Sequence, residues 1–273
     1  MEILYPFHPN LISIQCLEPF ISMAKRFKFD IFYRKVKAFQ LKKVRSWTRF
    51  NKDHNAIPRV LVRELNPKFT KALKVLTDKV GAGGMGDYLE FGVCEGTSLV
   101  CMFQALKALK LNDVRMFGFD SFEGFPAIAA IDIENELQPG ECASSLLSTA
   151  DRLTVNGIDW SRTFLIKGWF GDTLNGNLIR DYNIQKASII MIDCDLYSSA
   201  KESLNFCRTL IKDISIIFFG DWSEDKIIGE RRAFEEFLRE NGQLKSELLS
   251  LYKYHGVPKG RIFLVKNETS AIY

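Results

Sequence analysis

The chain has 273 residues, 47% hydrophobic and 26% charged, which suits a globular domain and excludes collagen-like, coiled-coil and mostly disordered chains. The net charge of +4 is unevenly spread, since residues 1–63 hold 13 Lys/Arg against 4 Asp/Glu and the remainder is mildly acidic. Apolar runs reach only strand length and no basic-then-apolar leader opens the chain, so neither a membrane span nor a signal peptide is expected.

Residues 21–63 interleave basic and aromatic side chains, as in Ala24-Lys25-Arg26-Phe27-Lys28-Phe29 and Tyr33-Arg34-Lys35-Val36-Lys37. With apolar residues at Phe32, Val36 and Phe39, this pattern predicts one or two basic amphipathic helices, stopped by Pro58. Basic helical faces are usually just solvated. The arm is therefore expected to cap the core or to join copies in a homo-oligomer. Docking on a membrane surface is the less favoured reading, and no nucleic-acid partner is expected. A helix is predicted over 69–80, ended by Gly81-Ala82-Gly83-Gly84. Strand-like runs follow at 88–92, 116–119, 163–166, 188–192 and 215–219, separated by helical stretches at 98–110, 143–156, 200–210 and 230–241. Such alternation predicts a parallel sheet covered on both faces. The last two strands, 244–252 and 261–266, are too close for a crossover helix and must be antiparallel. Two parts result, a basic N-terminal helical extension over 1–65 and an α/β domain over 66–273.

None of the six cysteines has C-x-x-C spacing and only three histidines occur, so no zinc site is expected. The cysteines are expected to be reduced thiols in a cytoplasmic protein.

Ligands of parallel sheets bind outside the carboxyl ends of the strands, so polar residues just after each strand are the candidates. After the first strand stands Glu90-Phe91-Gly92-Val93-Cys94-Glu95-Gly96-Thr97-Ser98. Gly92 and Gly96 allow close backbone approach, Thr97 and Ser98 can cap the next helix, and that helix's free N–H groups suit a carboxylate. After the second strand, Asp120 is placed to hold ribose hydroxyls of NAD or S-adenosylmethionine, with a helix N-cap as the competing role. After the third, Gly168 permits close approach and Trp169 offers a flat face to an adenine. Asp193 and Asp221 end neighbouring strands. They can converge on a hard cation such as Mg2+, or Asp193 can take a proton from an attacking hydroxyl. His255, in the final turn, is a weaker candidate base.

Four runs occur in the order found in one group: Tyr88-Leu89-Glu90-Phe91-Gly92-Val93; Gly118-Phe119-Asp120-Ser121-Phe122-Glu123-Gly124-Phe125-Pro126; Gly168 with Asp172-Thr173-Leu174; and Asp193-Cys194-Asp195-Leu196-Tyr197-Ser198-Ser199. Across about 66–266 the chain resembles the macrocin O-methyltransferase family, S-adenosylmethionine-dependent enzymes that methylate sugar hydroxyls. The resemblance implies a Rossmann-like class I methyltransferase sheet, mostly parallel with one antiparallel C-terminal strand and flanked by helices. It implies Glu90, Gly92 and Gly96 at the methionine end of the cofactor. Asp120, Ser121 and Phe122 would hold the adenosine, Gly168 and Trp169 would lie beside the adenine, and Asp193 would be metal ligand and base. The acceptor would be a glycoside, a sugar or another polyhydroxylated small molecule. One departure concerns the metal. The family places two consecutive aspartates after the fifth strand, where this chain has Gly220-Asp221, so one magnesium ligand is missing unless Glu224 or Asp225 substitutes. Ala200 likewise stands near where threonine is common. The competing readings are a nicotinamide-dependent oxidoreductase, which lacks its G-x-G-x-x-G here, and a catalytically silent cofactor-binding module.

Overall fold

The computed structural model describes residues 59–135, 137–254 and 256–270. The expected basic arm up to residue 58 and the candidate base His255 lie outside the described residues.

Helix α1 (Arg59–Val80) begins ten residues before the predicted start and runs through Pro67. A proline inside a helix forfeits one hydrogen bond, at roughly 3 kcal/mol. Here it sits on the exposed side, while Leu65, Phe69, Ala72, Leu73 and Leu76 form a fully apolar stripe at helical spacing. Packing of that stripe outweighs the local breaker. The Phe69 ring lies 4.8 Å from that of Phe218 and 6.2 Å from that of Tyr88, anchoring α1 to the sheet.

The remaining elements alternate as predicted: β1 (Asp87–Phe91), α2 (Thr97–Ala108), β2 (Met116–Asp120), α3 (Leu146–Val155), β3 (Thr163–Lys167), α4 (Phe170–Thr173), α5 (Gly176–Asp181), β4 (Ala187–Ile192), α6 (Tyr197–Cys207), β5 (Ile214–Phe219), α7 (Gly229–Glu240), β6 (Leu244–Tyr254) and β7 (Val257–Asn267). The short helices α4 and α5 were not predicted, because neither is long enough to show a helical period. Asn175 starts α5 by accepting from the N–H groups of Asn177 and Leu178.

The strands form one sheet in the order β3-β2-β1-β4-β5-β7-β6. Strands β1 to β5 are parallel, and β7 runs antiparallel between β5 and β6. Alternate residues feed two apolar layers. Tyr88, Met116, Ile189, Met191 and Phe218 face one side with α1 and α2. Phe91, Phe117, Phe119, Ile192 and Phe219 face the other with α6 and α7. Burial on both faces explains why the parallel strands read as unbroken apolar runs. The strand order reverses between β1 and β4, and the crevice for a ligand opens outside their carboxyl ends. Among the described residues, no helix is long and apolar enough to cross a membrane.

Candidate active site

The loop from β1 to α2 turns at Gly92 (φ 90°) and Gly96 (φ 78°). Gly96 is the N-cap of α2 and no side chain caps this helix. The left-handed turn at Gly96 makes Thr97 and Ser98 the first helical residues instead of caps. Both side chains are buried, and the Ser98 hydroxyl donates to Glu90 Oε1 at 2.6 Å. Glu90 also accepts from the Tyr88 hydroxyl at 2.5 Å, so both its oxygens are engaged inside the protein. Burial pushes its carboxyl up to about 8, against the hydrogen bonds from Ser98 and Tyr88 and with help from the charges of Asp193 and Asp120.

That shift has a definite sign for stability. Between the unfolded value of 4.5 and the folded value of about 8, the folded state holds a proton that the unfolded chain has lost. Glu90's contribution is full below the first value and lost as pH rises through the second. Glu90→Gln, which cannot ionise, should flatten the fall in thermal midpoint measured from pH ~5 to ~9. An unchanged slope would remove Glu90 from the account.

At the end of β2, Asp120 does something that spacing alone did not foresee. Its Oδ2 accepts from the N–H groups of Val93 and Cys94, both at 2.8 Å, and its Oδ1 from that of Phe122 at 2.7 Å. The carboxylate thus ties the glycine loop of β1 to the end of β2. Three of its four acceptor positions are used, leaving one on Oδ1 for a ligand. The rest of the Phe-Asp-Ser-Phe-Glu-Gly run is a built turn. The Ser121 hydroxyl donates to the Gly124 carbonyl at 2.8 Å, and Glu123 pairs with Lys167 at 2.9 Å. Phe122 points into the core at 5% exposure, so its ring packs against protein. Beside it, the Gly168 N–H donates to the Asp120 carbonyl at 3.0 Å. Trp169 stands 38% exposed, as a stacking platform requires.

The carboxyl ends of β4 and β5 hold most of the charge. Asp193 is half-buried and accepts a short hydrogen bond from the Tyr254 hydroxyl. Burial raises its carboxyl to about 7, with Tyr254 and Lys259 pulling down and Asp221 and Asp120 pushing up. Asp221 pairs with Lys259 at 2.9 Å. Burial opposes its charge, but hydrogen bonds from Asp195 and Lys259 hold it below the usual carboxylate range. Asp195, hydrogen-bonded to Asp221, is raised well above that range by burial, by that bond and by Asp193. Behind them Glu230, fully buried at the start of α7, accepts from the N–H groups of Cys194, Asp195 and Asp221 at 3.1, 3.3 and 2.9 Å. One carboxylate fastens both loops. On the rim, buried Asp132 accepts from the Tyr197 and Ser198 N–H groups at 2.6 and 3.3 Å, docking the turn Ala130–Asn135 on the start of α6.

Sequence reasoning missed Tyr254, Lys259, Glu230 and Asp132. Only the Asp193-Cys194-Asp195 run carried any signal for Asp195. Left-handed backbone at the non-glycine residues Cys94, Phe122 and Asp195 follows β1, β2 and β4, and such strain gathers at functional edges.

The uncapped α2, the loop glycines and exposed Trp169 are groups that suit S-adenosylmethionine. A divalent cation does not fit the Asp193 and Asp221 pair. Among the described residues no three His, Cys, Asp or Glu side chains are arranged to hold one. Asp221 is committed to Lys259, and Glu224, offered as a substitute ligand, pairs with Arg261 and is exposed.

Two solved structures share the fold: the O-methyltransferase NovP, with a TM-score of 0.59 and 20% identity over 72% of this chain and 78% of that one, and the calicheamicin methyltransferase CalS11, with a TM-score of 0.55 and 22% identity over 71% and 77%. A relative from Streptomyces olivaceus, 8-demethyl-8-(2,3-dimethoxy-alpha-L-rhamnosyl)-tetracenomycin-C 4'-O-methyltransferase, is 27% identical over 160 residues. That match covers 56% of this chain and 59% of the relative, less than two thirds of its length. The model of one family matches residues 25–253, and by that match the chain belongs to the macrocin-O-methyltransferase (TylF) family.

Proposed function

We propose that this protein transfers the methyl group of S-adenosylmethionine to a hydroxyl of a sugar-bearing small molecule. The observation that carries this reading is the family match over 25–253, and the relative from Streptomyces olivaceus, whose name specifies a rhamnosyl compound as substrate, supports a sugar as acceptor. When bound, S-adenosylmethionine supplies an electrophilic methyl on a sulfonium. The glycine loop and the first turn of α2 receive its amino-acid end, Asp120 holds the loop in shape and offers one acceptor to the ribose, and Trp169 stacks on the adenine.

The chain's own chemistry is then mostly placement. An acceptor oxygen held in line with the methyl turns a bimolecular step into an effectively unimolecular one. The bound sulfonium would supply the methyl and keep the electron pair of the broken carbon–sulfur bond, and Asp193 would take the acceptor's hydroxyl proton. A base near neutral pKa suits that task, and the Tyr254 hydroxyl orients the carboxylate. The docked turn Ala130–Asn135, with Ile131 and Ile133 exposed at 45% and 72%, forms an apolar rim for the acceptor. We place the reaction in the cytoplasm, since the five described cysteines are free thiols and reducing compartments keep them so.

The test is calorimetry with S-adenosylmethionine and with NAD, followed by transfer of labelled methyl to a panel of glycosides and nucleotide sugars. Heat with S-adenosylmethionine alone and label on a sugar hydroxyl are expected. Heat with NAD alone would favour the oxidoreductase, and binding without any transfer the silent module. Asp120→Ala should weaken cofactor binding at least about tenfold, because a lost hydrogen bond to a charged group costs ~1.5–3 kcal/mol. Unchanged affinity would remove Asp120 from the cofactor site.

A further inference from the structure

We propose that the Lys259 ammonium is the resident cation of this site, and that the enzyme needs no divalent metal at the ends of β4 and β5. The proposal rests on the methyltransferase reading above and concerns how its acidic edge is neutralised.

Three contacts point to it. First, at Gly220 a Cβ would stand 1.9 Å from Asp193 Oδ1 and 3.1 Å from the Tyr254 ring. The Asp193 carboxylate fills the space that a second aspartate would need, so the placement of Asp193 and the glycine belong together. Second, the carboxylate that remains, Asp221, has its Oδ1 2.9 Å from Lys259 Nζ. An ammonium in contact with a carboxylate repels a dication brought to the same oxygen, at short range and away from bulk water. Lysine and metal therefore exclude each other here. Third, Lys259 is held from its backbone as well. Its carbonyl accepts from the Trp222 N–H at 3.1 Å, next to Asp221 in sequence, so the β6–β7 hairpin is tied to the β5 loop by both main chain and side chain.

The acidic groups around this point are Asp193, Asp195, Asp221 and Glu230, and the nearby cation Arg261 is spent on Glu224. Lys259 is left as the charge that keeps Asp221 ionised. It is a positioning residue, acting through Asp221 and through the field at Asp193. What it supplies is a fixed single charge with directional N–H donors, in place of a dication that would keep its own waters.

The experiment titrates Mn2+ alone, followed by its electron paramagnetic resonance signal, into the full chain at neutral pH. Wild type, Lys259→Met and the double variant Lys259→Met with Asp221→Asn are compared. Each sample is first checked for its thermal midpoint and for its heat of binding S-adenosylmethionine. Wild type should leave Mn2+ free up to about millimolar concentration, and Lys259→Met should gain one site at least about tenfold tighter by removal of the competing charge. The double variant should lose that gain. Methyl transfer by wild type should persist in chelator. One tightly held Mn2+ per wild-type chain would overturn the proposal, and so would a folded Lys259→Met that gains no site. The two readings fail separately, because absent heat with S-adenosylmethionine would strike the methyltransferase reading and leave the Mn2+ result standing on its own.

Discussion

Asp193→Asn should abolish turnover while leaving cofactor affinity within about threefold of wild type. Placed bases contribute about 10²–10⁴-fold, and an amide cannot accept the acceptor's proton. It can still receive the Tyr254 hydroxyl bond on its oxygen, so the fold around it should survive. The same substitution removes a half-buried carboxyl raised to about 7, so the limb of the rate profile that reports this ionisation should vanish with it. Calorimetry and single-turnover transfer of labelled methyl separate the two effects. Full activity of Asp193→Asn on a working acceptor would reject Asp193 as the base and turn attention to Asp195, the nearby carboxyl hydrogen-bonded to Asp221.

The largest effect on stability is expected at Gly92. A Cβ there would lie 1.9 Å from the backbone carbonyl oxygen of Asp193, in a residue whose φ is 90°. Neither the collision nor the left-handed backbone can be relieved by turning a side chain. The Gly92 N–H also donates to the Phe119 carbonyl at 2.9 Å, and the Asp193 N–H to Phe91 at 2.9 Å, so three strand ends meet at this point. Gly92→Ala should therefore cost about 3–5 kcal/mol, the range of mutations that combine backbone strain with a clash in the core. For a domain of this size that lowers the thermal midpoint by roughly 10 °C. Gly83→Ala is the control, because nothing lies within 4 Å of its Cβ position. Equal midpoints for the two variants would show that the β1 and β4 ends can separate without penalty.

The succession of strands and helices along the chain was legible because it rests on local signals. Buried parallel strands announce themselves as apolar runs, and the glycines and acids that follow them sit where the sheet's geometry puts a ligand. The family resemblance rested on the same runs. Roles were less legible than positions. Asp120, marked as a ribose ligand, also accepts from three backbone N–H groups, which spacing alone does not reveal. Ser98 was marked as a cap and donates to Glu90 instead. In both cases the spacing fixes where a side chain stands, while its partner comes from another strand or turn. Glu230 and Asp132 were invisible for that reason, since a buried acid holding a distant loop has no local pattern. The start of α1 was misplaced because Pro67 is a strong local breaker, and only the buried stripe it interrupts reveals the helix.

The placement of β7 between β5 and β6 also bears on how the molecule is made. Strand β5, Ile214-Ser215-Ile216-Ile217-Phe218-Phe219, is buried along its whole length, yet its outer edge pairs with β7, which follows it in the chain only after α7 and β6. Until then a nascent chain presents an unpaired, uncharged apolar edge of the kind that recruits other strands. Tyr254 and Lys259, which complete the acidic end of the sheet, arrive with the same hairpin. A chain that stops before β7 is thus both sticky and without its full complement of site residues. Closing the edge and finishing the site are a single step.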